Sequence, residues 1–76
     1  MHYEIFVEWD TEASVWYIEG SNVPGLVGEA KTLESMIALL HVRIPEMLEE
    51  NGCPMDDSIP LRLLTTAHLG QLRTAA

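Results

Sequence analysis

The sequence has few basic residues. Of its 76 residues, 12 are Asp or Glu and 4 are Lys or Arg, which gives a formal net charge of −8. All 4 basic residues lie at or after Lys31. A phosphate backbone would be repelled by such a chain, so we expect no direct binding of nucleic acid. Whether the acids attract a basic partner or only keep a small protein soluble stays open at this point.

Cysteine and long apolar runs are also scarce. Cys53 is the single cysteine, so no intramolecular disulfide can form. The longest apolar run, residues 36–40, is far shorter than the roughly 20 residues that a transmembrane helix needs. The amino terminus shows neither a basic segment nor an apolar run of signal length. We therefore expect a cytoplasmic protein with no membrane role.

Motifs for cofactors and metals are missing as well. The sequence has no Gly-rich phosphate loop, and its three histidines, His2, His41 and His68, lack the paired spacing of metal sites. Hydrophobic residues nevertheless make up 47% of the chain, which is typical of an ordinary globular domain. We predict one domain over residues 1–69 with a tail over residues 70–76, and no cofactor or metal.

Three strands are predicted in the first thirty residues. Residues 2–9 alternate as a half-buried strand does, with Tyr3, Ile5, Val7 and Trp9 on one face. A polar connection over residues 10–14 leads to a second strand over residues 15–19, which residues 20–22 end. After the Pro24-Gly25 turn, residues 26–30 form a third strand. The second strand is apolar on both faces, so one of them is left for solvent or another chain.

One helix is predicted to follow. Thr32 is suited to cap its first turn, Glu34 complements the positive end of its dipole, and Asn51-Gly52 supplies a left-handed stop. Apolar residues recur at three- and four-residue spacing: Leu33, Met36, Ile37, Leu40, Ile44, Met47 and Leu48. Pro45 lies inside this pattern and predicts a kink rather than two separate helices.

A last extended segment is predicted within residues 58–68, with Pro60 near its start or on an edge. The element order is β-β-β-α-β, an α+β fold: an antiparallel three-stranded meander, one helix packed on the sheet, and a return strand. A right-handed crossover through the helix places the last strand parallel to the first, in a sheet ordered 3-2-1-4.

Short motifs along nearly the whole chain resemble a small bacterial family of uncharacterised HicB-like proteins, related to HicB antitoxins. These motifs are Val7-Glu8-Trp9-Asp10, Glu12-Ala13, Val15-Trp16, Pro24-Gly25-Leu26, Glu29-Ala30, Thr32-Leu33-Glu34 and Pro45-Glu46-Met47-Leu48-Glu49. The resemblance implies a partial ribonuclease-H-like fold. It also implies a possible partner, because HicB antitoxins bind and block HicA, a small basic RNA-cleaving toxin. The DNA-binding domain of full-length HicB proteins has no counterpart in the printed sequence, so operator binding is not expected.

A ribonuclease-H-like nuclease would need carboxylates from the first strand, the helix and the last strand. Asp10 and either Glu34 or Glu46 are candidates, but the last strand offers leucines and threonines where an acid is needed. We therefore predict no catalytic residue. Asp10 is then expected to hydrogen-bond its own turn.

The sequence leaves two function classes open. The first is a protein-binding module of antitoxin type, and the second is a free-standing oligomeric module that binds another protein or a small ligand. Predicted partner-binding residues are Glu4, Glu8, Trp9, Asp10, Glu12 and Trp16. The two tryptophans could instead serve core or inter-subunit packing. A homo-oligomer is also predicted, with Phe6, Val15 and Tyr17 at the interface.

Overall fold

The computed structural model describes residues 1–66, which form a four-stranded sheet and one helix. The elements are β1 (Tyr3–Asp10), β2 (Val15–Ser21), β3 (Glu29–Ala30), α1 (Leu33–Glu50) and β4 (Leu61–Thr65). The strand order is β3-β2-β1-β4, with β1 antiparallel to β2, β2 antiparallel to β3, and β4 parallel to β1. The predicted β-β-β-α-β fold and the place of the last strand are confirmed.

The helix begins and ends as its sequence signals predict. The Thr32 hydroxyl accepts a hydrogen bond from the Ser35 amide at 3.0 Å, which satisfies one free donor of the first turn. At the other end Gly52 has φ 64°, a left-handed conformation that glycine adopts without strain. The Cys53 amide there donates to the Leu48 carbonyl at 2.8 Å, closing the chain reversal. The helix runs unbroken through Pro45.

The core lies between α1 and one face of the sheet. Alternate residues of β1 meet one stripe of the helix because the strand period of two and the helix period of 3.6 each place apolar side chains on a single side. The buried apolar residues are Tyr3, Ile5, Val7, Val23, Leu26, Met36, Leu40, Ile44 and Leu48. Trp16 and Ile18 of β2 pack against this cluster, so the helix covers the Trp16 side of β2 and leaves the Tyr17 side uncovered.

Two strands differ in length from the sequence prediction. β2 continues to Ser21 because a bulge between the pairs Phe6–Gly20 and Val7–Ile18 absorbs Glu19 and lets the pairing go on. β3 has only two residues, whereas residues 26–30 were predicted, because Leu26 turns into the core instead of pairing with β2. Gly28 permits the close approach that follows, since a Cβ there would lie 3.1 Å from Leu39 Cδ2.

The predictions for the carboxy-terminal part of the chain fall partly outside the described residues. Within the described part of the chain, the last extended segment is a strand over Leu61–Thr65, preceded by Pro60. The remainder of that predicted segment, the tail over residues 70–76 and the domain boundary at residue 69 lie outside the described residues. Within residues 1–66, α1 is not long and apolar enough to cross a membrane.

Tyr3 makes the unfolding of the domain sensitive to alkaline pH. Its hydroxyl donates to the Pro54 carbonyl at 2.6 Å, and burial raises the pKa of the phenol above its ordinary value of 10.0, with Cys53 adding to the shift. Because the pKa of Tyr3 is higher in the folded than in the unfolded state, its contribution to stability is fully present below pH 10. That contribution is lost as the pH rises through the pKa of the folded state. Tyr3→Phe should therefore flatten the decline in stability above pH 10. Urea unfolding from pH 8 to 11 tests this, and Tyr17→Phe, which alters an exposed ring, should retain the wild-type decline.

Candidate functional site

The face of the sheet turned away from α1 is the candidate site. Side chains alternate along each strand, so residues paired across strands share a face. This open face carries Glu4, Phe6, Glu8, Asp10, Val15, Tyr17, Glu29, Arg62 and Leu64. No other described element packs on it. A sheet face that exposes aromatic and aliphatic side chains without a covering layer is a common place for a partner to bind.

One row of the open face is acidic. Glu8 of β1 pairs with Tyr17 of β2, and Tyr17 pairs with Glu29 of β3, so the tyrosine lies between two carboxylates. Neighbouring strands are about 4.8 Å apart, which puts the two glutamates roughly 10 Å from each other. Within residues 1–66 neither glutamate has a basic side chain within ion-pair distance. Both charges are therefore available to a cationic partner.

The next row is apolar. Phe6 lies between Leu64 of β4 and Gly20 of β2. Gly20 has no side chain to cover the ring, and Phe6 remains 42% exposed. The open face thus offers a flat aromatic contact beside the acidic row, the combination of apolar centre and charged surroundings that protein interfaces use.

Glu4, by contrast, is occupied within the chain. Its Oε1 lies 2.8 Å from His2 Nε2 and 3.8 Å from Arg62 Nη1. Its backbone amide donates to the side-chain oxygen of Asn22 at 2.7 Å. These contacts fix the strand end and offset the Glu4 charge, so Glu4 contributes less to an acidic surface than Glu8 or Glu29.

The hairpin acids differ from each other. Asp10 Oδ1 accepts from the amides of Glu12 and Ala13 at 3.0 and 3.2 Å, so Asp10 hydrogen-bonds its own turn, as predicted. The turn closes through a 2.8 Å bond from the Ser14 amide to the Asp10 carbonyl. Glu12 is exposed in the loop. Asp10 therefore holds the hairpin, and Glu12 is the hairpin acid that is free to meet a partner.

The two tryptophans lie on the other face of the sheet. Trp9 pairs with Trp16 across the hairpin, and their rings make an edge-to-face contact with centroids 5.6 Å apart. Trp16 packs against the core, while Trp9 is 41% exposed. The structure therefore divides the predicted partner-binding set: Glu4, Glu8 and Asp10 are on the open face, Glu12 is in the hairpin loop, and both tryptophans are on the helix side. The predicted oligomer residues Phe6, Val15 and Tyr17 share the open face with Glu8.

The described residues hold few groups suited to covalent or metal chemistry. Among residues 1–66 no three His, Cys, Asp or Glu side chains come together in a way that could hold a metal ion. Cys53 is a half-buried free thiol whose Sγ contacts the Asn51 carbonyl oxygen at 3.9 Å. Hydrogen bonding from Ser58, first through its backbone amide, lowers the pKa of Asp56 in the loop before β4. Asp56 thus stays ionised and organises its own loop.

Sequence reasoning missed three members of the open face. Glu29 was counted among the acids but not assigned to the site, and Arg62 and Leu64 were not assigned to it either. The predicted strand order could have indicated these residues in part, because a sheet ordered 3-2-1-4 brings β3 beside β2 and β4 beside β1. The pairing of Tyr17 with Glu29, however, depends on the two-residue β3, and the sequence pattern does not predict so short a strand.

Comparison with known proteins identifies the family. Residues 2–72 match the family described as a domain of unknown function (DUF1902), and the chain belongs to that family. It is similar to the crystal structure of hypothetical protein TTHA1013 from the extremely thermophilic bacterium Thermus thermophilus. The two are 46% identical, the match covers 90% of this chain and 99% of that chain, and the TM-score is 0.72. No match was found among curated proteins.

Proposed function

We propose that the chain is a non-catalytic protein-binding module whose open face binds a basic partner. The observation that carries the proposal is the row Glu8–Tyr17–Glu29, in which two carboxylates without ion-pair partners in residues 1–66 flank an exposed aromatic ring. Separated carboxylates attract cationic side chains, and a tyrosine face adds cation–π contact with Lys or Arg. Phe6 lies beside this row and supplies an apolar contact from which water is excluded when the partner binds.

Three features support a partner that itself binds RNA. The formal charge of −8 would steer a basic protein by long-range attraction. The spaced carboxylates of the open face could occupy the cationic surface that such a protein uses for phosphates. The motifs in the sequence resemble HicB antitoxins, which block a small basic RNA-cleaving toxin of the HicA type. We therefore propose antitoxin-like neutralisation of such a toxin in the cytoplasm.

The alternative is a free-standing oligomeric module that binds another protein or a small ligand. Exposure of Phe6 and Tyr17 favours it, since two copies could join their open faces through these residues and Val15. Such a dimer would bring Glu8 and Glu29 of both copies together. Like charges brought close in an interface oppose association. This repulsion is the reason for placing a basic partner, rather than a second copy, on the open face.

Paired affinity capture from native lysate tests the proposal. Wild-type chain and Glu8→Lys/Glu29→Lys serve as baits, and Glu46→Lys/Glu50→Lys, which reverses two exposed helix acids, is the charge-matched control. We expect a small protein of high pI to be enriched on the wild type and the helix control and lost from the open-face variant. Enrichment that is equal on all three baits, or a captured partner that is acidic, would contradict the proposal.

A further inference from the structure

The two edges of the sheet differ in their capacity to pair with another strand. β3, at one edge, has only two residues, Glu29–Ala30. β4, at the other, has five, Leu61–Thr65, and its outer side has no strand partner among residues 1–66. Natural proteins protect long edge strands with charges, bulges or covering elements, because unpaired backbone groups recruit other strands. The β4 edge therefore needs an explanation that the β3 edge does not.

The hydrogen-bonding direction of β4 follows from its parallel pairing. The Tyr3 amide donates to the Pro60 carbonyl at 3.0 Å, and Tyr3 is in register with Leu61. In a parallel ladder each β1 residue of this kind bonds to the two residues that flank its partner. The amides of Arg62 and Leu64 therefore turn toward β1, and those of Leu61, Leu63 and Thr65 turn outward. The outer edge thus carries regularly spaced donors and acceptors that have no strand partner within residues 1–66.

Apolar side chains accompany this edge on the helix side of the sheet. Leu61 is 49% exposed and Leu63 is 37% exposed, although both lie in a strand. They form one wall of a shallow groove whose other wall is the Ile37, His41 and Ile44 side of α1. The helix does not cover this groove, so a strand added to β4 would bury leucine side chains as well as satisfy backbone groups.

The charge of the β4 segment indicates which partner strand can pair with its edge. Residues 58–66 contain no Asp or Glu, although the whole chain has 12, and Arg62 is one of its 4 Lys and Arg residues. Two copies of an acidic chain repel each other least where they present their acid-free segment. Arg62 also offsets the one neighbouring carboxylate, Glu4, at 3.8 Å. Within the described chain, the β4 edge is therefore the part best suited to pair with the same edge of a second copy.

We propose that a second copy of this chain pairs with β4 in antiparallel register around a two-fold axis at Leu63. In that register Leu63 faces its own counterpart, Leu61 faces Thr65 of the second copy, and the outward amides find the outward carbonyls. The result is a continuous eight-stranded sheet, twice the four strands of one copy. The open face stays free on each copy, so this dimer does not depend on the proposed basic partner.

Light scattering on a size-exclusion column and amide exchange test this dimer on the full chain. Wild type should show twice the chain mass at micromolar concentration. Leu63→Arg, which puts like charges face to face, should raise the dimer Kd at least about 30-fold. Val42→Arg makes the same charge change at an exposed residue on the outer side of α1 and should remain dimeric, and Phe6→Arg on the open face should do so too.

Amide exchange on the wild type keeps the test independent of any variant. Exchange at Leu61, Leu63 and Thr65 should slow as protein concentration rises through the dimer Kd, while Arg62 and Leu64, bonded to β1, should be protected at every concentration. A monomeric wild type would overturn the proposal and leave the edge to the chain's own carboxy-terminal residues or to another protein. A dimer that Phe6→Arg dissociates and Leu63→Arg does not would overturn it in favour of the open face.

Discussion

Met36→Ala is expected to lower the free energy of unfolding by about 2–5 kcal/mol. The Met36 side chain is fully buried in the helix stripe that faces β1, so its removal leaves a cavity in addition to the lost apolar transfer energy. Alanine is the best helix former, so the helix itself does not oppose the change. A domain of this size has only about 5–10 kcal/mol of total stability, so the loss is a large part of it.

Urea and thermal unfolding measure this effect. The midpoint temperature should fall by roughly 4–8 °C for each kcal/mol lost. Met55→Ala is the matched control, because Met55 is 55% exposed in the loop before β4 and its removal leaves no closed cavity. We expect a change within about 0.5 kcal/mol for the control. Equal losses in both variants would contradict the assignment of Met36 to the core.

The sequence predicted most of the fold because its local signals agree with one another. Thr32 caps the helix, Asn51-Gly52 ends it, and the apolar spacing between them faces one side. Each of these signals acts through neighbouring residues, so a single chain displays them directly. The crossover rule then placed β4 beside β1 without further information.

The extents of β2 and β3 were not predictable in the same way. Gly20 and Ser21 have the composition of a strand break, yet they pair with Phe6 and Ile5 because the bulge at Glu19 restores the ladder. Leu26 has the propensity of a strand residue, yet burial in the core outweighs pairing. In both cases tertiary contacts outweighed the local sequence preference.

The sequence predicted the types of residue in the candidate site better than the sheet face on which each residue lies. Trp9 and Trp16 were grouped with the acids of the first strand because they flank the acidic hairpin loop in sequence. Strand alternation sends Glu8 and Trp9 to opposite faces, and register, not sequence distance, joins Glu8 to Tyr17 and Glu29. The acids that remain together on the open face are therefore fewer than the sequence suggested, and they surround Phe6 and Tyr17 rather than the tryptophans.

The last prediction separates the charge of the open face from its apolar contact, with the partner captured as described above. Neutralising the acidic row with Glu8→Gln/Glu29→Gln should raise the Kd about 2- to 30-fold at 0.1 M salt, since each exposed charge contributes roughly 0.2–1 kcal/mol. The Debye length falls from about 10 Å at 0.1 M to about 3 Å at 1 M salt. The rise in Kd caused by the two substitutions should therefore nearly vanish at 1 M. Phe6→Ala should instead raise the Kd about 30-fold at both salt concentrations, because burial of an aromatic ring is not screened.

Titration calorimetry over a salt series measures both effects, and Glu46→Gln/Glu50→Gln on α1 controls for net charge. If this control matches the open-face pair, attraction acts through the overall charge of the chain and no particular face is used. If the open-face pair changes nothing at 0.1 M salt, Glu8 and Glu29 serve only solubility. The loss of affinity caused by Phe6→Ala should not depend on ionic strength, because an apolar contact is not screened by salt. A loss of affinity that becomes smaller as salt rises would mean that the variant disturbs the neighbouring carboxylates.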